Sequence, residues 1–193
     1  MTFTDSLVEV FLNKFTIFKE RHMLSRFKPT WMIGDIYTIS PQFLRDHNIN
    51  CVLTDLDNTL VPWNSKKGSK ALRDWLSENK KYGIKVIVVS NNSHKRIQRA
   101  VQDYELPFVP RAMKPLTIGI RHALKEFNLT KKNTVMIGDQ LMTDVVAANS
   151  CSVRSILVKP LVRDDAWNTT INRYFEKIVW NKLSKKYPDL HWK

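Results

Sequence analysis

Four apolar runs rich in β-branched residues alternate with helical patterns between residues 51 and 158 of this 193-residue chain. The runs are CVLTDL (51–56), IKVIVVS (84–90), TVMIGD (134–139) and SVRSILV (152–158). Nearly continuous apolar runs are typical of strands that are buried on both faces of a parallel sheet. The alternation therefore predicts an α/β fold with a doubly wound parallel sheet and right-handed crossovers.

The intervals between these runs carry apolar residues at helical spacing, over residues 71–83, 93–106, 117–129 and 140–150. A chain of this length suits one domain. We therefore expect a single domain over 1–193, with its core at about 50–160, an N-terminal lead-in at 1–49 and a C-terminal helical segment at 161–193.

Polar residues stand where the predicted strands end. They are Asp55 and Asp57, then Ser90 and Asn91, then Gly138 and Asp139; Lys114 precedes a predicted helix and Asp144 lies within another. In open α/β sheets, ligands bind at the carboxyl ends of the strands. We therefore expect these residues to converge in one crevice.

The carboxylates of this crevice predict a cation site. Residues i and i+2 of an extended segment point to the same side, so Asp55 and Asp57 can face one site. Asp139 and Asp144 would add negative charge, and a hard cation with oxygen ligands, best matched by Mg²⁺, would relieve the repulsion. The Ser90 hydroxyl, backbone N–H groups near Asn91 and the Lys114 ammonium are candidate donors to a bound phosphate.

Each of these residues also has a purely structural interpretation. Asp55 and Asp57 could form a turn after the strand, and Ser90 could cap the following helix. Lys114 could be a surface charge, and Asp144 could lie on a helix face.

Four further polar or aromatic residues are given structural roles. We interpret Asn92 as a helix cap and expect His94 and His122 to be solvated. Trp63 is expected in the core, with gating of the site or contact with lipid as the alternative.

The motifs, taken in chain order, resemble those of the haloacid dehalogenase (HAD) superfamily of phosphatases over about residues 50–160. They are DxDxT (Asp55, Asp57, Thr59), Ser90, Lys114 with Pro115, and GDxxxxD (Gly138, Asp139, Asp144). More narrowly, TDLDNTLVPW, SNN, RAMKP and IGDQLMTDV are similar to the YqeG-like subfamily (type IIIA), which is related to phosphatidylglycerophosphate phosphatases. Four motifs in order form a specific signal.

This resemblance implies a HAD-like Rossmannoid fold and assigns a role to each motif residue. Asp55 would be the nucleophile that forms an aspartyl-phosphate, and Asp57 the general acid and base. Thr59 would support the geometry of the loop, and Ser90 and Lys114 would bind the phosphoryl oxygens. The metal set would be Asp55, the Asp57 backbone carbonyl and Asp139, with Asp144 close by or acting through water.

Spacing excludes a large cap domain, since only 32 residues separate Asp57 from Ser90. A capless site suits a bulky substrate or a lid supplied by a partner. The favoured function is Mg²⁺-dependent hydrolysis of phosphatidylglycerophosphate to phosphatidylglycerol, a lipid substrate that only the family resemblance implies. The alternatives are a phosphatase of a soluble sugar phosphate or nucleotide, with an oligomer supplying the lid, and an RNA- or ribosome-associated binding protein on the same fold.

The net charge of +13 is concentrated in the middle of the chain. Residues 65–133 hold 16 Lys and Arg against 5 Asp and Glu, a balance of +11. Such a field favours anionic partners, including phosphorylated metabolites, anionic membranes and nucleic acid. That region has no aromatic stacking platform or RNA motif, which disfavours nucleic acid.

The ends of the chain carry amphipathic patterns at residues 3–18 and 173–187. Both could form interfacial helices with a preference for anionic lipid, or could pack on the sheet or in a dimer contact. Two widely separated cysteines and the absence of a signal or spanning segment predict a cytoplasmic protein, peripheral at most at the inner membrane face.

Overall fold

The computed structural model describes residues 24–65, 69–162 and 169–193, with the backbone alone over 169–177. Six strands form one parallel sheet. In chain order they are β1 (Trp31–Ile33), β2 (Cys51–Thr54), β3 (Lys85–Val89), β4 (Phe108–Val109), β5 (Thr134–Gly138) and β6 (Arg154–Val158). The strand order in the sheet is β1-β6-β5-β2-β3-β4, so β2 lies between β3 and β5.

Four of the described helices lie in the intervals that the alternation predicts, one lies in the lead-in and one in the C-terminal segment. They are α1 (Pro41–Asp46), α2 (Lys70–Lys81), α3 (His94–Val101), α4 (Ile118–Glu126), α5 (Val146–Ser150) and α6 (Thr169–Lys186). Serine side chains begin three of them, because Ser40, Ser69 and Ser93 each accept a hydrogen bond from the backbone N–H three residues further on. The chain turns after α2 at Gly83, whose φ of 70° favours glycine.

The four strands predicted from the apolar runs are confirmed, with bounds shortened by one to two residues. The prediction missed β1 and β4, which are the two edge strands and span only three and two residues. Strands this short carry no detectable period. Because β1 lies within residues 1–49, the predicted lead-in contributes a strand to the sheet.

The core lies on both faces of the sheet. On one face, Val52 belongs to a buried cluster with residues of α1, α2 and α3, including Leu72. On the other face, Cys51 and Leu53 pack with residues of α4 and α5. Both cysteines, Cys51 and Cys151, are free and buried, as expected for packing residues.

The C-terminal helix α6 packs on the β1 edge of the sheet. Leu183 is fully buried against Met32 of β1 and Leu157 of β6, and Tyr187 packs against the same cluster. The end of the 173–187 stripe therefore packs on the domain, whereas its start lies outside the described side chains. The other amphipathic segment, residues 3–18, lies outside the described residues. Among the helices that the structure describes, none is both long and apolar enough to cross a membrane.

Candidate active site

The carboxyl edge of the three central strands gathers the predicted polar residues. Asp55 directly follows β2, Ser90 follows β3 and Asp139 follows β5. The Asp55 N–H donates to the Ile137 carbonyl at 2.9 Å, which fixes the start of the loop against β5. Because β2 is flanked by β3 and β5, the three side chains enter one crevice.

Lys114 is buried in this crevice, with only 2% of its side chain exposed. Its Nζ lies 2.9 Å from Asp55 Oδ1 and 2.7 Å from Asp144 Oδ1. Burial opposes the charge of Lys114, but Asp144 and Asp55 outweigh it and raise the pKa of the ammonium. Lys114 is therefore a buried cation between two carboxylates, which excludes its interpretation as a surface charge.

Asn91 holds the backbone on which Lys114 stands. Its Oδ1 accepts from the Lys114 N–H at 2.7 Å, and its Nδ2 donates to the Lys114 carbonyl at 2.9 Å. The Asn91 side chain is thus committed to positioning Lys114. Any phosphate contact of Asn91 would have to use its backbone N–H, in agreement with the donors predicted from the sequence.

Asp55, Asp139 and Asp144 form an acidic cluster, because one carboxylate oxygen from each lies within 4.8 Å of the other two. The Thr59 hydroxyl donates to Asp139 Oδ1 at 3.1 Å. Thr59 therefore supports a carboxylate of the cluster.

Asp144 reaches the cluster from a wide turn of π type, Leu141–Val145, that precedes α5. The carboxylate is buried, and its Oδ2 accepts from the Gln140 N–H at 3.1 Å. A Cβ at position 138 would lie only 2.2 Å from the Asp144 carboxyl group, so the close approach of Asp144 requires Gly138. Asp144 is therefore a buried member of the acidic cluster and does not lie on an exposed helix face.

The acidic cluster fits a hard divalent cation. Burial, followed by repulsion from Asp144 and Asp55, raises the pKa of Asp139 well above its usual value. Burial also raises the pKa of Asp144, against the lowering effect of Lys114. Three carboxylates that face one another with Lys114 as the adjoining cation retain excess negative charge, which an oxygen-ligated cation would neutralise.

Asp57 faces the mouth of the crevice, where Asn92 and Arg96 bind its carboxylate. We call these three residues the Asp57 clamp. Arg96 Nη2 lies 2.6 Å from Asp57 Oδ1, and Asn92 Nδ2 donates to Asp57 Oδ2 at 2.7 Å. Burial raises the pKa of Asp57, while Arg96 and Asn92 oppose that shift. The Asp57 carboxylate thus binds these partners and lies outside the acidic cluster, which leaves its backbone carbonyl as the predicted metal ligand.

The contacts of Asn92 and Arg96 with Asp57 were not predicted from the sequence. Asn92 was interpreted as a helix cap, but that prediction is wrong because Ser93 caps α3. Arg96 was not assigned any role. The available signal was its place three residues after the cap: side chains in a first helical turn point back toward the helix start, which here is the site.

Ser90 is buried beside the same clamp. Its Oγ accepts from the Asn92 N–H at 3.3 Å and from Asn92 Nδ2 at 3.1 Å. The hydroxyl can therefore still donate its own proton. Ser90 does not cap α3, since Ser93 does.

Trp63 lies at the surface, with 40% of the residue exposed, so the prediction of a core position is wrong. Its backbone carbonyl accepts from Arg96 Nη2 at 3.4 Å, which places the loop after Asp57 beside the Asp57 clamp. His94 and His122 are exposed, as expected.

The described residues between the motifs hold no cap domain. Those between Asp57 and Ser90 form α2 and β3 with their connections, and those between Ser90 and Lys114 form α3, a short 3₁₀ turn and β4. In the described part of the chain, no inserted domain therefore covers the carboxyl edge.

Comparisons with known proteins agree with this geometry. Residues 112–177 match the sequence model of a family described as HAD-hydrolase-like. The chain is 36% identical over 160 residues to a Bacillus subtilis (strain 168) protein named "Probable phosphatase YqeG", covering 83% of this chain and 93% of that protein.

Two solved structures are similar to the chain at low sequence identity. An uncharacterised protein from Listeria monocytogenes serotype 4b is 18% identical, with a TM-score of 0.50 over 61% of this chain and 84% of that chain. The cobalt-bound form of a deoxy-D-mannose-octulosonate 8-phosphate phosphatase from Haemophilus influenzae is 17% identical, with a TM-score of 0.46 over 70% of this chain and 89% of that chain.

Proposed function

The chain belongs to the HAD phosphatases, in their YqeG-like branch, and on that premise we propose that it hydrolyses a phosphate monoester through an aspartyl-phosphate on Asp55. The observation that carries this proposal is the contact of Asp55 with Lys114 beside two further carboxylates. A carboxylate oxygen next to a buried ammonium can attack a phosphorus atom whose negative charge the ammonium offsets.

The first step transfers the phosphoryl group to Asp55. An Asp55 carboxylate oxygen forms the new bond to phosphorus while the bond from phosphorus to the ester oxygen breaks. Protonated Asp57, two residues along the same loop, gives its proton to the departing oxygen, which leaves as an alcohol. The raised pKa of Asp57 favours the protonated form that this step needs.

The second step regenerates the enzyme. Asp57, now ionised, accepts a proton from a water molecule as that water attacks the phosphorus of the aspartyl-phosphate. The bond to Asp55 breaks, and inorganic phosphate leaves. Lys114, the Ser90 hydroxyl and backbone N–H groups near Asn91 would bind the phosphoryl oxygens in both steps.

A divalent cation, which we propose to be Mg²⁺, would be held by Asp55, Asp139 and the Asp57 backbone carbonyl, with Asp144 close by. When bound, it would neutralise charge on the phosphoryl group and on the acidic cluster. Thr59 would keep Asp139 oriented for this role through its 3.1 Å hydrogen bond.

We propose phosphatidylglycerophosphate as the substrate, at the cytoplasmic face of a membrane. The lack of a cap among the described residues between the motifs supports a substrate too bulky for an enclosed site. A loop beside the site supports a lipid surface: Met113, Leu116 and Ile118 are each more than half exposed, around the buried Lys114. Arg111 and Arg121 flank this loop and are also exposed, so apolar and cationic groups face solvent together.

The substrate is tested by Mg²⁺-dependent phosphate release from phosphatidylglycerophosphate in mixed micelles, compared with its soluble headgroup. Asp55→Asn should abolish release, while Asp74→Asn, which removes an exposed carboxylate of α2, should not. Equal or faster turnover of soluble sugar phosphates would favour the soluble-substrate alternative. If no ester is hydrolysed and nucleic acid co-purifies in a salt-sensitive manner, the binding-protein alternative is favoured.

The membrane surface has a separate test in vesicle flotation without substrate. Vesicles with anionic lipid should bind the protein, and Met113→Ser with Leu116→Ser should weaken binding. Tyr82→Ser is the matched control, because Tyr82 is an exposed apolar residue just before β3, at the opposite edge of the sheet. Equal weakening by the control would contradict a docking role for the loop.

A further inference from the structure

Among the side chains that the structure describes, Arg96 is the cation that contacts Asp57, the residue that we propose as proton donor. Its Nη2 lies 2.6 Å from Asp57 Oδ1 and donates to the Trp63 carbonyl at 3.4 Å. A guanidinium carries five N–H donors, and both of these contacts use the same nitrogen. Arg96 therefore has donor capacity beyond Asp57, at a position where 24% of its side chain is exposed.

The position of Arg96 relates it to the leaving group. A general acid acts within about 3 Å of the oxygen that it protonates. Because Arg96 Nη2 lies 2.6 Å from Asp57 Oδ1, the guanidinium lies within about 6 Å of the ester oxygen of a substrate that Oδ1 protonates. Groups a few bonds beyond that oxygen fall within its reach.

Asn92 keeps Asp57 oriented independently of Arg96. The two clamp residues bind different oxygens of the carboxylate, Asn92 at Oδ2 and Arg96 at Oδ1. Arg96 can therefore turn toward a substrate anion while one hydrogen bond still holds the proton donor. Asn92 is also tied to Ser90 Oγ at 3.1 Å, which anchors it to the end of β3.

We propose that Arg96 forms a subsite for a second anionic group on the leaving alcohol, of phosphodiester or carboxylate type. This inference rests on the proposed phosphatase function and adds the feature that separates substrates from other monoesters. Planar guanidinium groups bind such anions through paired hydrogen bonds. A phospholipid whose terminal phosphate is joined through glycerol to a phosphodiester has this chemistry, and so does its soluble headgroup.

A pair of soluble esters tests the subsite. Glycerophosphoglycerol phosphate and glycerol 3-phosphate release their phosphate from the same kind of primary hydroxyl, but only the first carries a phosphodiester. We expect the wild-type enzyme to prefer the first by about 10- to 100-fold in kcat/KM, the range for one charge-assisted contact. Arg96→Gln should bring the ratio near one, mainly through KM, and Arg96→Lys should keep part of it.

Arg99→Gln is the matched control, because Arg99 is an exposed residue of the same helix and its loss removes the same charge. It should leave the ratio unchanged. If Arg96→Gln slows both esters by one factor, Arg96 acts only by positioning Asp57, and the subsite is refuted. A wild-type enzyme that does not discriminate between the esters refutes it as well.

The lipid arm separates the headgroup from the membrane surface. Arg96→Gln should reduce turnover of micellar phosphatidylglycerophosphate and of the soluble headgroup by similar factors. A loss seen only with the micellar lipid would assign the effect to the membrane surface and overturn the subsite.

A binding measurement decides the subsite without turnover. Calorimetry of glycerophosphoglycerol phosphate with Asp55→Asn, and with Asp55→Asn combined with Arg96→Gln, should show about tenfold weaker binding in the double variant. Equal Kd values would overturn the subsite. Failure of the proposed function has a different signature, since then Asp55→Asn would retain wild-type phosphate release or the wild type would release none.

Discussion

The acidic cluster and the Asp57 clamp both pair carboxylates with a cation, but the two pairings differ in how deeply they are buried. Beside the acidic cluster, in what we call the deep region, Lys114 is 2% exposed and contacts two carboxylates. In the Asp57 clamp, Arg96 and Asp57 are 24% and 27% exposed, and the cation contacts one carboxylate. Buried charges depend strongly on their partners, whereas partly solvated charges can exchange theirs for a ligand. The deep region therefore suits the phosphoryl group, which every phosphate monoester carries. The Asp57 clamp, which we also call the shallow region, suits the leaving group, which differs from one ester to another.

The largest expected effect follows from removing the deep cation. Lys114→Met leaves two buried carboxylates without their cation, which should lower the free energy of unfolding by about 3–5 kcal/mol without divalent metal. Urea unfolding measures this. Lys70→Met is the control, because Lys70 pairs with Asp74 on the exposed face of α2 and should cost less than about 0.5 kcal/mol. Equal losses would remove the distinction between buried and exposed pairs.

Divalent metal should stabilise the folded protein by binding to the acidic cluster. With Mg²⁺ at about 100 times its Kd, the free energy of unfolding should rise by about 2.7 kcal/mol, since the ion binds only the native cluster. Thermal unfolding with and without EDTA shows the change. Asp139→Asn should remove the gain, and Asp103→Asn, at an exposed acid, should retain it. A gain that survives Asp139→Asn would place the ion elsewhere.

A methyl group tests how tightly the deep region is packed. Gly138→Ala would set a Cβ 2.2 Å from the Asp144 carboxyl, so Asp144 must move, at a cost of about 1–3 kcal/mol and most of the activity. Gly34→Ala is the control, because its Cβ would meet its nearest neighbour, the Lys193 carbonyl oxygen, only at 3.8 Å. Unfolding and phosphate release measured on both variants sharpen the comparison; an unaffected Gly138→Ala enzyme would contradict it.

The shallow region should respond through pH more than through stability. Arg96→Gln should cost less than about 1 kcal/mol, because the pair is partly solvated. Arg96 favours the ionised form of Asp57, so its loss should raise the pKa of Asp57 further. Activity that needs protonated Asp57 falls as pH rises through that pKa, and the alkaline limb should therefore move to higher pH.

The pH effect is measured as kcat/KM for glycerol 3-phosphate against pH in both enzymes. p-Nitrophenyl phosphate, whose leaving group needs little protonation, should show a weaker alkaline limb in each. A limb that moves to lower pH would show that Arg96 does not stabilise the Asp57 carboxylate.

The sequence predicted the parts of the molecule that local patterns determine. The long apolar runs predicted β2, β3, β5 and β6, and the ends of the first three indicated Asp55, Ser90 and Asp139. The deep region was predictable for this reason, since strand ends converge by topology.

The remaining features depend on contacts between distant parts of the chain. Arg96 meets Asp57 across 39 positions, and Thr59 meets Asp139 across 80. Neither pairing has a periodic signature, and the direction of a single helical side chain decides the first. Trp63 was misplaced for a similar reason, because an aromatic residue in a loop is buried only if another element covers it.

The two ends of the sheet have a consequence for how the protein behaves when concentrated at a surface. An exposed strand edge offers unpaired N–H and C=O groups to a neighbouring chain and can seed aggregation. Here β4 spans two residues, and β1 spans three, with Lys193 bonded to the Met32 carbonyl and the Gly34 N–H. The described edges of the sheet therefore give a neighbouring molecule little backbone to pair with. Molecules that crowd together should for this reason not assemble edge to edge.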